Sequence, residues 1–299
     1  MTVPDPRVIE SAARVAREEL APRAADYDRD AKNPVESWRA LGRAGFLGAT
    51  IPRAHGGLGL DMPTYVAVIR TLAGGCASTA MTLHMHSTVM RFIGALGTEA
   101  QHRRYFPEVV RHGTLFGSWG SEPAVSLSRT LLMETAIREA EDGWAIDGVK
   151  HFCTMALGAS HYMVWCALDG GTDMGKALLL TLVPADAPGM ATDGTWDTLG
   201  MRGTYSPAVT FTGVRVPADA TLGQPGSAVQ VGLEVTSRVI QTVGGRGAYR
   251  IFPAERAFRD MRTATLMPPT ADRMLETIGK SALGLTEAMF RVSAGPQAG

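Results

Sequence analysis

The side chains in this 299-residue chain that could do chemistry are few, and their spacing disposes of most of them. Cys76, Cys153 and Cys166 are odd in number and form no Cys-x-x-Cys pair, which fits neither a disulfide framework nor a structural zinc site. Among seven histidines, His84 and His86 come nearest to a chelating pair, but residues two apart on a helix diverge by roughly 200°. No metal is expected. Gly56-Gly57-Leu58-Gly59 and Gly244-Gly245-Arg246-Gly247 have the composition of phosphate-cradling loops, yet neither follows a strand or keeps Gly-x-Gly-x-x-Gly spacing. Ser118, Ser121 and Thr154 put hydroxyls on or beside expected strands, and Trp119, Phe152 and Trp165 put aromatics there. On spacing alone these are ordinary strand and core residues, as the fifteen methionines are core fillers.

The elements that must position these groups change character along the chain. Asp5 caps and Pro6 opens a helix whose apolar face is Val8, Ala12, Val15, Ala16 and Leu20. A second helix starts at Asn33-Pro34, carries Val35, Trp38 and Leu41, and stops at Gly45. Ile51 to Gly59 then reads as a shaped loop with three glycines that permit positive φ. A further helix holds Val66, Val68, Ile69 and Leu72, and Thr98 with Gln101 forms a capping box for a helix ending near Gly113. From Phe116 the pattern turns to strands at Phe116–Trp119, Trp144–Val149, Tyr162–Ala167, Ala177–Val183 and Val209–Val216. Turns are expected at Asp142-Gly143, Asp147-Gly148, Asp169-Gly170-Gly171 and near Pro184 and Pro188. Helical spacing returns after Gly223. The order is an α+β multi-domain chain: an N-terminal α-helical domain (1–115), a middle antiparallel β-domain (116–222) and a shortened C-terminal α-helical domain (223–299).

Composition excludes several classes. Apolar residues make up 45% and charged residues 19%, enough for a large core, and formal net charge is zero, which gives no footprint for nucleic acid or an anionic membrane surface. The apolar stretch Ala177–Val183 is far short of a membrane span, and Met-Thr-Val-Pro-Asp-Pro-Arg lacks the pattern of a signal peptide. A soluble, cytoplasmic protein is expected.

Seven segments together resemble the acyl-CoA dehydrogenase family of flavoenzymes. They are Ile51-Pro-Arg-Ala-His-Gly-Gly-Leu-Gly59, Gly97-Thr-Glu-Ala-Gln101, Gly117-Ser-Trp-Gly-Ser-Glu-Pro123, Asp147-Gly-Val-Lys-His-Phe-Cys-Thr154, Leu199-Gly-Met-Arg-Gly203, Val214-Arg-Val-Pro217 and Gln241-Thr-Val-Gly-Gly245. The resemblance implies FAD held between the β-domain and the C-terminal helices, a homo-oligomer (dimer or tetramer), an acyl thioester substrate, and electron-transfer flavoprotein or a similar acceptor as partner. By the same resemblance, Ser118, Gly120 and Ser121 contact the flavin ring, Phe152 stacks on it and Thr154 hydrogen-bonds it. Gln241, Gly244 and Gly245 reach the adjacent subunit's FAD, Thr270 and Asp272 meet the cofactor at the start of the last helix, and Ser126 and Arg238 contact substrate.

Two departures stand out. In the aligned Tyr-Glu-Gly-Thr pattern the family's proton-abstracting glutamate is replaced by Pro268, and the alternative position before Arg238 is Ser237, neither a usable base. Glu234, one turn earlier on a similar face, is the remaining candidate. Between Arg238 and Gln241 the family's long helices are missing, so the C-terminal bundle is expected to be shortened. Dehydrogenation of a thioester is the first expectation; a flavin-dependent monooxygenase or oxidase, which needs no α-proton base, and a non-catalytic binding protein of the same shape are the alternatives.

Overall fold

The computed structural model describes residues 3–123, 133–169, 171 and 174–227. Asp5 opens α1 (Pro6–Val15) by accepting the Arg7 N–H at 2.9 Å. Its apolar stripe continues through Ala16 and Leu20 as expected, but the backbone changes to a π turn at Ala16–Leu20 and a 3-10 turn at Ala21–Arg23. Pro22 has no N–H for the α-helical ladder, so pairing re-forms around it. After α2 (Ala24–Asp30) and α3 (Val35–Arg43), the buried Trp38 ring reaches across to α5 and donates Nε1–H to Thr82 at 2.8 Å.

The loop 51–59 is shaped as expected, with one change of cause. Gly56 and Gly59 have positive φ, whereas Gly57 does not; a Cβ there would lie 2.2 Å from the Ile51 carbonyl oxygen, so Gly57 is required by close backbone approach. Then come α4 (Met62–Gly75), α5 (Ala77–Leu96) and α6 (Glu99–His112). Thr98 and Gln101 form the reciprocal capping box, and Gly113 takes the left-handed cap. The Gln101 amide also donates to the carbonyls of Asp219 (2.8 Å) and Thr221 (2.9 Å), tying the helices to the far end of the sheet.

The strands are β1 (Phe116–Trp119), β2 (Ala136–Ala140), β3 (Gly143–Lys150), β4 (His161–Leu168), β5 (Leu178–Pro184), β6 (Met190–Ala191), β7 (Val209–Pro217) and β8 (Thr221–Leu222), with a short helix, α7 (Met174–Ala177), before β5. They form one sheet in the order β6-β7-β3-β2-β4-β5-β8, with β1 beside β4. Most pairings are antiparallel, but β1 and β2 both run parallel to β4 along the same edge: Phe116–Trp119 faces His161–Val164, and Ala136–Ile137 faces Ala167–Leu168. The antiparallel expectation is corrected to a mixed sheet in which β1 and β2 lie in line along one edge of β4.

Asp147-Gly148 is not a turn. It lies inside β3 at a bulge, where a Cβ on Gly148 would meet Thr135 at 2.6 Å. Asp147 there receives the Gly213 N–H at 2.7 Å and pairs with Arg138, joining β2, β3 and β7. The expected C-terminal helices after residue 227 lie outside the described residues.

Candidate active site

β1 is fixed at both ends. At its start the buried His86 ring donates Nε2–H to the Leu47 carbonyl (3.0 Å) and accepts the Phe116 N–H on Nδ1 (3.1 Å), which demands the neutral ring. Burial pushes its pKa down to about 4. His84 spends its Nδ1 on the Tyr65 hydroxyl at 3.0 Å.

At the far end of β1, Glu122 and Lys150 form an ion pair at 2.6 Å with side chains 1% and 0% exposed. Glu122 also accepts the N–H groups of Glu134 (2.6 Å) and Thr135 (2.9 Å), and Lys150 donates to the Gly120 carbonyl at 3.3 Å. One carboxylate therefore links the end of β1 to the start of β2. Burial alone would raise Glu122; the Lys150 charge and the two backbone donors outweigh it and hold the carboxyl below its usual range. Neither residue had a role in the sequence reading. The available signal was a glutamate in Gly-Ser-Glu-Pro and a lysine ending an otherwise apolar-faced strand.

Between these clamps lie the expected site residues. Ser118, Gly120 and Ser121 are half-buried, and among the described residues neither serine hydroxyl has a hydrogen-bond partner. A Cβ on Gly120 would lie 3.5 Å from the Trp165 ring. The next segment is brought alongside by backbone bonds: His151 N–H donates to Ser121 O (2.8 Å) and Trp119 Nε1–H to Thr154 O (3.0 Å), while the Trp119 ring stacks on Tyr162 with centroids 3.7 Å apart.

Phe152 projects from this segment, 42% exposed, its ring edge-to-face with Trp196 at 6.2 Å. It has a φ of 54°, and Met155 (64°), Leu157 (58°), Met201 (57°) and Tyr205 (38°) share that left-handed region, each at a cost of about 1–3 kcal/mol for a side-chain-bearing residue. These residues sit on two segments that lock together through Cys153 N–H to Pro207 O (3.2 Å) and Met155 N–H to Thr204 O (3.0 Å). The helical domain braces both: Asn33 donates to Ala156 O at 2.8 Å and Arg202 to Asp28 O at 2.7 Å. Strain held from so many sides is characteristic of ligand clamps.

The arrangement suits a flat ring system with a polar edge. An exposed aromatic offers a stacking face, and two unengaged hydroxyls with Gly120 backbone between them offer edge contacts. The structure thus brings Ser118, Gly120, Ser121, Phe152 and Thr154 together. Thr154 is fully buried, its hydroxyl in contact with Ser206, a residue the sequence reading did not single out. Ser126, Glu234, Arg238, Gln241, Gly244, Gly245, Thr270 and Asp272 lie outside the described residues. Among the described residues no group of three or more His, Cys, Asp or Glu side chains could hold a metal, and no helix is long and apolar enough to cross a membrane.

Comparison with known proteins places two family models on this chain. Residues 6–112 match the family model "Acyl-CoA dehydrogenase, N-terminal domain" and residues 117–214 match "Acyl-CoA dehydrogenase, middle domain". The chain is 27% identical to dibenzothiophene monooxygenase of Rhodococcus qingshengii over 218 residues, covering 73% of this chain and 52% of that protein. It is 27% identical to the human mitochondrial short-chain specific acyl-CoA dehydrogenase over 222 residues, covering 73% and 53%. The solved structure of TdsC from Paenibacillus sp. A11-2 with FMN and indole superimposes with a TM-score of 0.64 at 28% identity, covering 75% of this chain and 55% of that one. The chain spans about half the length of these relatives.

Proposed function

Because the chain belongs to the acyl-CoA dehydrogenase family through both its helical and its strand-rich regions, we propose that it is a flavin-dependent oxidoreductase that oxidises an acyl thioester between its α and β carbons, with FAD as cofactor. The observation that carries this reading is the strained, half-exposed Phe152 beside a strand end whose two serine hydroxyls have no partner among the described residues. When bound, the flavin supplies a two-electron acceptor for a hydride. The residues of this chain then have distinct tasks. Phe152 covers one ring face and keeps water from it, Ser118, Ser121 and the Gly120 backbone meet the polar edge, and Thr154 hydrogen-bonds the ring.

Glu122 is unsuited to take the α-proton, since its carboxylate is dry and held by three donors. Glu234 is assigned that proton, Ser126 and Arg238 the substrate, and Gln241, Gly244, Gly245, Thr270 and Asp272 the cofactor at a subunit boundary. A cytoplasmic homo-oligomer, a dimer or tetramer, passing electrons to electron-transfer flavoprotein or a similar acceptor, completes the reading.

A flavin-dependent monooxygenase or oxidase is the second reading. It is favoured by the similarity to dibenzothiophene monooxygenase and by Pro268 and Ser237 standing where the family's glutamates are expected. Such chemistry begins with oxygen at a reduced flavin and needs no base at the substrate's α-carbon. The test is the visible spectrum of the flavin-loaded chain during anaerobic addition of an acyl-CoA panel. Bleaching by one thioester supports dehydrogenation, and Glu234→Gln should abolish it. Retained colour with every thioester, together with oxygen uptake once the flavin is reduced chemically, selects the second reading. A preparation that stays colourless after incubation with FAD or FMN removes both.

A further inference from the structure

We propose that Ser206 is a positioning residue for the flavin edge: it fixes the direction of the Thr154 hydroxyl proton from behind. The inference rests on the flavin reading above. Three hydroxyls, Thr204, Ser206 and Thr154, are buried in a row where the two left-handed segments interlock. Thr204 Oγ1 lies 2.8 Å from both the Met201 carbonyl and Ser206 Oγ, and Ser206 donates to Thr154 Oγ1 at 3.1 Å.

The proton count decides the outcome. Each hydroxyl has one proton to give. Thr204 donates to the Met201 carbonyl and makes a three-centre contact with Ser206, whose own proton goes to Thr154 Oγ1 at 3.1 Å, the Thr204 carbonyl at 3.4 Å being its weaker alternative. Thr154 is thereby used as an acceptor. For its own proton the described residues offer only the Phe152 carbonyl at 3.5 Å, a distance at which little bonding remains. Thr154 is left as the one hydroxyl of the row with a proton to spend elsewhere, on the segment that presents Phe152. A donor that already accepts a hydrogen bond is polarised and donates more strongly. At 1% exposure the Thr154 side chain is shielded from solvent.

The row also explains its own location. Thr154 is held by Trp119 through its carbonyl, Thr204 by Met155 through its carbonyl, so neither end can rotate away without opening the segment contact. A lone threonine on a turn would choose among rotamers; this one is chosen for it.

The test is a double-mutant cycle on the full chain loaded with FAD, reading oxidised-flavin affinity and visible band positions. Ser206→Ala should weaken flavin binding roughly three- to tenfold, the range expected for one modest hydrogen bond, and move the bands toward those of Thr154→Val. In the Thr154→Val background Ser206→Ala should change neither readout, because the serine acts through the threonine. Ser206→Thr, which keeps the hydroxyl, should restore both. Should Ser206→Ala fail to fold, Ser206→Cys keeps the volume with a weaker donor and should move both readouts the same way by less. Unchanged affinity and bands in Ser206→Ala or Ser206→Cys, tighter binding, or equal effects with and without Thr154 overturn the proposal while leaving flavin binding intact. A wild-type chain that takes up neither FAD nor FMN overturns both.

Discussion

The two ends of β1 solve one problem with opposite chemistry. At Phe116 a neutral imidazole donates to one backbone group and accepts from another, so no charge is buried. At Gly120–Glu122 a full ion pair is buried instead, with both carboxylate oxygens and the ammonium spent on partners. The neutral clamp joins neighbouring elements that would pack anyway: Phe116 stacks on His161 and meets Tyr105 edge-on. The charged clamp spans a break between two strands, where no ladder exists and strong directional bonds must substitute for it. Charge is placed where one strand gives way to the next.

The sharpest way to break this contrast is Lys150→Met, which strands the Glu122 carboxylate in a dry site and should cost about 3–5 kcal/mol in urea unfolding. Adding Glu122→Gln should recover much of that loss. The neutral end is tested by acid. His86 has its folded pKa depressed from about 6.5 to about 4, so the unfolded chain binds the proton first, and stability present above pH 6.5 is lost as pH falls toward 4. Its share is on the order of 3 kcal/mol. Burial pushes His161 down too, so the measurement is the difference between wild type and His86→Gln at pH 7 and pH 4.5; the glutamine should flatten the profile. Glu122, held below the usual carboxylate range, keeps its contribution while pH stays above that range and loses it progressively in stronger acid. A smaller effect belongs to the α6 cap: Thr98→Ala should cost about 1 kcal/mol in thermal or urea unfolding. The smallest is Phe152→Gly. Relief of the left-handed φ offsets lost packing, leaving stability within about 0.5 kcal/mol while flavin affinity falls.

The sequence made some of this architecture legible because those features are local. The Thr98–Gln101 box, the Asp5 cap and β4 and β5 follow from patterns a few residues long. β2 was missed because only Ile137 of Ala136–Ala140 is buried, while Arg138 and Glu139 are exposed, so no apolar alternation shows. Glu122 and Lys150, 28 residues apart, read as surface charges until the chain is folded. The left-handed Phe152 and Met155 were equally illegible, because intrinsic preference assigns that region to glycine and only the bracing from Asn33, Thr204 and Pro207 overrides it. Of the expected site, five residues are assembled by the fold, and their grouping came from the resemblance rather than from periodicity.

The Glu122 carboxylate has a consequence for how this chain tolerates change. Because it grips residues 134 and 135 directly, the start of β2 is tied to the end of β1 by side-chain bonds. Doubling the length of that intervening stretch would add only about 0.6 kcal/mol of closure entropy. That cost is small beside the two bonds by which Glu122 holds the far end of the connection in line with β1.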